Sequence, residues 1–307
     1  MDPDRSPTSV TVRAPAKINL HLSVGLPRED GFHDLTTVFH AVGLYDEVTV
    51  SRSDALSCTV TGEGAADVPT DAGNLAVRAV LALAERTRSD AGVAVRIAKG
   101  IPVAGGCAGG SADAAAALVA CDVLWGLGLS RDDLAEVGAE LGSDVPFSLH
   151  GGTALGTGRG ERLTPVLGHG TWSWVLALAD GGLSTAEVYG ELDRLRERGP
   201  VNLAGDPAPV LTALRQGSAP LLGRALSNDL QLPALTLRPD LRRLLRTGQE
   251  LGALGGVVSG SGPTVAFLAR DPTAASALAS ALRDQDACRS VRVASGPVPG
   301  ARVTRTD

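Results

Sequence analysis

Residues 102–112 read P-V-A-G-G-C-A-G-G-S-A, that is Pro102, Val103, Ala104, Gly105, Gly106, Cys107, Ala108, Gly109, Gly110, Ser111 and Ala112. A backbone this poor in side chains can turn its N–H groups inward and approach a ligand closely. The alanine-rich stretch that follows predicts a helix from Ser111 to Trp125, ended by Gly126. At its start, unpaired N–H groups and the positive end of the helix dipole favour an anion. Ser111 suits the N-cap, and its hydroxyl either caps the helix or faces a phosphate or its magnesium ion. Alone, the run reads equally as an anion-holding loop or as a flexible loop before a capped helix. It is not the usual phosphate loop, which needs a lysine where Gly110 stands.

Outward from this run, the chain mixes strands and helices without a regular βαβ alternation, which predicts an α+β fold. Apolar, β-branched segments at 10–14, 18–24, 37–42, 47–51 and 93–97 read as strands. Asn74 caps a helix over 75–87, and Ser130 one over 131–141 that stops at Gly142. The glycines of 151–165 mark a hairpin. In the second half, 174–179, 257–259, 264–269 and 290–293 read as strands. Helices are expected over 185–198, 210–215, 219–226, 240–251 and 274–283, and 199–209 is a Gly/Pro connector. The first eight residues are polar and read as a disordered tail.

The chain has 307 residues, enough for two domains at ~100–200 residues each. A net charge of −6 argues against nucleic acid as the main partner. There is no uninterrupted apolar run of ~18 residues, so no membrane span is expected, and the reading is a cytoplasmic monomer or homodimer. Cys58, Cys107, Cys121 and Cys288 form no C-x-x-C pair, so reduced thiols are expected rather than disulfides or a zinc site. Of the 28 basic residues only Lys17 and Lys99 are lysines. A lysine kept in so arginine-rich a chain marks a position that wants a compact ammonium.

Two polar sets stand out. On a strand, Lys17 and Asn19 share one face, opposite Ile18 and Leu20. They read either as a site for an anionic or hydroxylated ligand or as a solvated polar face. Asp144, between Gly142 and the apolar turn Val145-Pro146-Phe147, reads as an Asx turn or N-cap, or else as a general base or metal partner. No histidines show metal-ligand spacing, and no protein metal ligand is assigned.

Taken together, P-A-K-I-N-L at 15–20, the run at 102–112, G-S-D-V-P at 142–146 and S-G-S-G-P-T at 259–264 resemble the GHMP kinase superfamily. Further matches are E-D-G-F-H-D-L at 29–35, T-V-F-H at 37–40 and G-T-A-L-G-T-G-R-G-E at 152–161. They resemble the branch that acts on a cytidine-diphosphate-linked methylerythritol in the non-mevalonate route to isoprenoid precursors. The likeness runs from about Val10 to Val303. It implies an N-terminal domain of ribosomal-protein-S5-domain-2 type over 1–165 and a ferredoxin-like domain over 166–307, with the active site in the cleft between them.

The resemblance also implies ATP as phosphoryl donor, with magnesium. By position Lys17 and Asp144 match the catalytic pair, and residues 102–112 match the ATP-phosphate loop. Asn19, Phe32, His33, Gly260 and Ser261 match substrate contacts, His33 against the cytosine. Thr185 and Tyr189 fall around the cytidine. Phe32 stands where tyrosine is usual; stacking needs only the ring. Cys107 replaces a larger apolar residue and is expected to line the adenine side of the loop. The rivals are another kinase of the superfamily, a silent nucleotide-binding regulator, and an RNA-binding protein on the S5-like scaffold. The Phe32-His33 pair argues against the first, Lys17 with Asp144 against the second, and the acidic charge against the third.

Overall fold

Two long antiparallel strands organise the chain: β1, Ser9–Pro27, and β2, His33–Arg52. The computed structural model describes residues 7–103, 105–201 and 203–307. Each long strand joins two segments that the sequence suggests separately. Irregularities in their pairing after Pro15, after Asn19 and after Val24 absorb the breaks, so the ladder bends without ending. The expected tail over 1–8 lies outside the described residues for 1–6, while Thr8 donates its backbone N–H to Asp307 O.

β3 (Ser57–Gly62) and β4 (Val93–Lys99) extend the first sheet, whose order is β12-β1-β2-β4-β3. The outermost member, β12 (Arg302–Thr306), comes from the far end of the chain. A single cut at 165/166 does not describe that return. The hairpin of β5 (Thr153–Thr157) and β6 (Arg162–Pro165) attaches to β2. Helix α1 (Leu75–Thr87) is capped by Asn74, whose side chain accepts from the Ala76 N–H. Helix α2 (Gly109–Trp125) begins two residues earlier than the sequence suggests. Its N-cap is Ala108 at φ 60°, so Ser111 lies inside the first turn and is not the cap. Residues 112–121 of α2 are all buried, and all are apolar except Asp113. Helix α3 (Arg131–Leu141) carries the expected cap at Ser130, completed by Asp133 as a capping box. Then comes α4 (Val145–His150), where a turn is expected.

The second sheet contains β7 (Trp172–Leu178), β9 (Gly255–Val258), β10 (Val265–Ala269) and β11 (Ser290–Gly296), ordered β11-β7-β10-β9 and antiparallel throughout. With helices between β7 and β9 and between β10 and β11, this is the split βαβ arrangement of a ferredoxin-like unit. The first crossover carries α5 (Thr185–Arg198), α6 (Ala208–Gln216), α7 (Ala219–Ala225), α8 (Gln231–Leu237) and α9 (Asp240–Glu250). The two-residue strand β8 (Ser227–Asn228) lies within it and pairs with β1. The second crossover is α10 (Pro272–Asp284).

One face of the second sheet packs onto the first unit: Trp172, Trp174, Leu176 and Leu268 share a core with Ile18, Leu20 and α2. The other face, with Val175 and Phe267, is covered by apolar residues of α5, α9 and α10. β7 is therefore buried on both faces, which explains its unbroken apolar sequence. No helix among the described residues is long and apolar enough to cross a membrane.

Candidate active site

A cleft of about 990 Å³ opens between the two units. Its floor is β1. Lys17 and Asn19 share a face, as their spacing requires, and the face looks into the cleft. Lys17 Nζ donates to Asn19 Oδ1 (2.8 Å), Asn19 Nδ2 donates to Thr37 Oγ1 (2.8 Å), and the Thr37 hydroxyl donates to His21 O (2.8 Å). All three side chains are buried. The chain of bonds fixes the amide of Asn19, so its oxygen must face the ammonium. Thr37 is invisible as a partner in sequence because it sits across the ladder on β2.

Asp144 comes to the same point from the opposite wall, with Oδ2 3.4 Å from Lys17 Nζ. It holds the N-cap position of α4, yet its side chain makes no capping bond. A carboxylate that caps nothing is free for other work. Gly260 closes the group: a Cβ there would lie 3.3 Å from Lys17 Nζ, and its φ is +55°. Its turn is held by Asn228, whose Nδ2 donates to Val258 O and Gly260 O.

The glycine-rich loop forms one end of the cleft, clamped on two sides. Cys107 O accepts from the Lys17 N–H, and Gly105 O accepts from the Thr264 N–H. Gly106 O accepts from the Ser259 hydroxyl. The first N–H to bond back into α2 is that of Ala112, to Ala108 O. The N–H groups of Gly109, Gly110 and Ser111 therefore precede the helix ladder, and all three residues line the cleft. Pro102, Val103, Gly105, Gly106 and Ala108 line it too. Ala104 lies outside the described residues. Cys107 and Ala112 are buried among core side chains and do not line the cleft, so Cys107 does not form an adenine wall. Burial pushes the Cys107 thiol up, partly offset by Lys17. Ala108 is one of three described non-glycine residues with positive φ. Such strain costs ~1–3 kcal/mol and gathers at functional sites. Beyond the loop, Val68, Pro69, Asn74 and Leu75 continue the wall; of these the sequence marks only Asn74 and Leu75, as a helix start.

Beneath the loop lies a second charged group. Lys99 Nζ donates to Asp46 Oδ2 (2.5 Å) and Asp113 Oδ2 (2.6 Å), with all three buried. Asp46 Oδ1 also accepts the N–H groups of Gly100 and Ile101. Burial alone would lower the lysine pKa, but Asp113 and Asp46 together raise it. Among the described residues Asp113 Oδ1 has no hydrogen-bond partner, and burial followed by the charge of Asp46 pushes its carboxyl up to about 8. Lys99 is thus a retained lysine for a reason of its own: two carboxylates enclose it in a dry site.

The far end of the cleft holds Phe32, His33, Thr185, Tyr189 and Ser261. Phe32 is 50% exposed, whereas His33, the first residue of β2, is only 8% exposed. His33 Nε2 lies 3.1 Å from both oxygens of Asp193, and its ring centroid lies 5.0 Å from that of Tyr189. A carboxylate only accepts, so Asp193 holds a proton on Nε2, and in the tautomer with that one proton Nδ1 is an acceptor. Burial, then Asp144, raises the Tyr189 phenol, which stays a donor. Thr185 Oγ1 and Ser261 Oγ are hydrogen bonded at 2.9 Å across the cleft wall. Asp193 carried no recognisable signal, because nothing local in α5 sets it apart from its charged neighbours.

Comparison with known proteins bears on this geometry. The model for "GHMP kinases N terminal domain" matches residues 74–152, and "GHMP kinases C terminal" matches 210–287. The chain belongs to the GHMP kinases. Members of this family use ATP as a substrate together with a small-molecule acceptor. One GHMP kinase relative is the 4-diphosphocytidyl-2-C-methyl-D-erythritol kinase of Nocardia farcinica, 59% identical over 97% of this chain and 97% of its own. The crystal structure of a 4-(cytidine 5'-diphospho)-2C-methyl-D-erythritol kinase superposes with TM-score 0.74 at 33% identity, covering 93% of this chain and 98% of that one. The homoserine kinase of Cytophaga hutchinsonii has TM-score 0.78 at 21% identity, covering 99% of both chains, a likeness of fold alone.

Proposed function

We propose that this GHMP kinase transfers the γ-phosphoryl of ATP to the 2-hydroxyl of 4-diphosphocytidyl-2-C-methyl-D-erythritol, a step of the non-mevalonate isoprenoid route. The observation that carries the reading is the order along one cleft: an anion-holding loop, then Lys17 with Asp144, then Phe32, His33 and Tyr189. Phosphoryl transfer asks a protein mainly to position reactants and neutralise charge. The loop and the N-terminus of α2 hold the phosphates. Asp144 takes the proton of the attacking hydroxyl, and Lys17, oriented by Asn19 and 3.4 Å from that carboxylate, holds the hydroxyl in line. The aromatic end takes a base: Phe32 offers a stacking face, and His33 Nδ1 an acceptor for an exocyclic amino group.

Magnesium, held with ATP, would supply neutralisation of the phosphate charge. Among the described residues no group of three or more His, Cys, Asp or Glu converges on a metal position. Ser111 lines the cleft at the start of α2, so its hydroxyl would be the protein contact of an ion that phosphate oxygens and water would otherwise hold. The setting proposed is cytoplasmic, on the ground that four widely spaced cysteines with no C-x-x-C pair suit reduced thiols.

The test is ADP release with the cytidyl-erythritol acceptor, mevalonate, homoserine and galactose in parallel. Turnover with the first alone, or far faster than with the others, is expected. Faster turnover with any of the others would overturn the reading.

A further inference from the structure

The cleft carries three cations whose partners differ. Lys17 is paired with Asp144, and Lys99 is enclosed by Asp46 and Asp113. Arg159 lines the same cleft, at its acceptor end, and among the described residues no carboxylate oxygen lies within ion-pair distance of its guanidinium. Neighbouring arginines are already committed. Arg28 pairs with Asp30 and Asp34, and Arg196 sits on the carbonyls of Gly25 and Val24 beside Asp193. Glu161, two residues on, spends one oxygen on the Arg159 backbone N–H (2.7 Å), and its other oxygen faces Arg162.

The guanidinium is also held in place. Its carbon lies 4.9 Å from the centroid of the Phe32 ring. The turn that carries it is tied down: Leu35 N–H donates to Gly158 O (2.6 Å), and Gly160 N–H donates to Thr157 O (3.1 Å). Gly158 and Gly160 have positive φ, so the G-T-G-R-G-E run is a turn built to present one side chain. A planar cation lying on an aromatic ring is weakly hydrated and keeps its N–H edges for a phosphate.

We infer that Arg159 is a specificity-determining residue that binds the acceptor's diphosphate, using the Phe32 ring as its support. The inference rests on the proposed function, because a base read at Phe32 and His33 brings its attached phosphates to this end of the cleft. Among the described residues, and apart from Lys17, which Asp144 already balances, Arg159 is the cation available there to meet two phosphate charges. It is not a catalytic residue, since the reacting hydroxyl belongs at Lys17 and Asp144. Arg159 acts on recognition: it favours acceptors that carry a charged linker over neutral polyols or sugars.

The experiment is calorimetric binding of CDP and of cytidine, with saturating ADP present to fill the donor end. Wild type, Arg159→Gln and Arg159→Lys are compared. Wild type is expected to bind CDP at least tenfold more tightly than cytidine, with a preference that weakens as salt rises. In Arg159→Gln the CDP affinity falls to near that of cytidine, while cytidine and ADP affinities stay within twofold. Arg159→Lys keeps part of the preference, because it retains charge without the planar fork. In turnover, Arg159→Gln raises KM for the cytidyl-erythritol acceptor at least tenfold and leaves kcat and KM for ATP within twofold. An unchanged CDP-to-cytidine ratio in Arg159→Gln overturns the inference alone. So does an equal loss of both ligands, which would make Arg159 a prop for Phe32 only. If the wild type binds neither CDP nor cytidine, the proposed function falls and takes this inference with it.

Discussion

Lys17 Nζ sits 2.8 Å from Asn19 Oδ1 and 3.4 Å from Asp144 Oδ2, so the ammonium is anchored to its own strand and only leans toward the carboxylate. That asymmetry leaves Asp144 with lone pairs to spare for a hydroxyl. Asp144→Asn keeps the size of the side chain and removes its basicity. It is expected to lower kcat by ~10²–10⁴-fold, the range of a lost general base, with ATP affinity unchanged. Single-turnover phosphoryl transfer alongside nucleotide binding checks this. Because the side chain makes no capping bond, folding stability is expected to hold, and near-normal kcat would remove Asp144 from the chemistry.

Thr37 is the hidden member of the same group. Its hydroxyl accepts from Asn19 Nδ2 and donates to His21 O, all in buried surroundings. Thr37→Val keeps the shape but leaves the Asn19 amide N–H unpartnered, at a cost of ~1–3 kcal/mol. A melting temperature lower by roughly 2–4 °C per kcal/mol is expected. The loosened amide no longer fixes Lys17, so kcat falls as well, by about fivefold for ~1 kcal/mol of lost orientation. Thr37→Ser restores both, and rescue by serine distinguishes the hydroxyl from the methyl.

What could be read in the sequence follows how local each cause is. The caps at Asn74 and Ser130 and the stop at Gly126 depend on a few neighbouring residues, and those helices begin and end close to where the sequence puts them. Lys17 and Asn19 were legible because strand periodicity alone puts them on one face. Helix α4 was not, since it is six residues long and has Pro146 near its start, a composition that also suits a turn. Its recognition needs α2 and α3 packed against it. β12 pairs with β1 through residues nearly the whole chain apart, such as Val10 with Thr306, and no local signal announces such a partner. Asp193 and Arg159 look like ordinary surface charges until the fold sets them beside His33 and Phe32. The start of α2 lies two residues before Ser111 because Ala108 takes a left-handed conformation that alanine seldom adopts and no local signal marks.

The loop and the turn at Ser259 meet so closely at Gly106 that a side chain has no room. Its φ is +75°, and a Cβ would overlap Ser259 O and press on Gly262 O. Gly106→Ala must therefore push the two walls of the cleft apart. We expect a stability loss of ~1–3 kcal/mol, and KM for ATP raised at least tenfold because the loop carbonyl and its neighbours shift. Gly110→Ala serves as the comparison: its nearest neighbour would be Leu75 Cδ1 at 3.4 Å, inside the first turn of α2. There alanine is the better helix former, by up to ~1 kcal/mol, so stability should hold or rise. Equal melting losses in the two variants would refute the steric argument.

The buried trio under the loop predicts a particular dependence on pH. One ammonium serves two carboxylates, and Asp46 has the better share, with two backbone N–H groups besides Lys99. Asp113 has only Lys99 and an unpartnered oxygen, and burial pushes its carboxyl up to about 8 from the ordinary 3.8. In the unfolded chain this group loses its proton near 3.8; in the folded chain it keeps it to about 8. Between those values the folded state binds the extra proton, so stability from this group is full below the lower value and falls as pH rises, until the loss is complete above the upper one. Lys99, with its pKa raised, stays charged throughout this window and adds no slope. His40, lowered to about 3 by burial, gives the opposite slope below its ordinary value, but it does so equally in any variant that leaves it alone. Asp113→Asn keeps an acceptor for Lys99 and removes the titration. The melting temperature of the variant relative to wild type is therefore expected to rise steadily from pH 5 to pH 8, on the order of 2 °C per pH unit, and to level off above pH 8. Parallel melting curves across that range would mean that Asp113 is ionised in the folded protein well below pH 8, and that Lys99 balances both carboxylates at once.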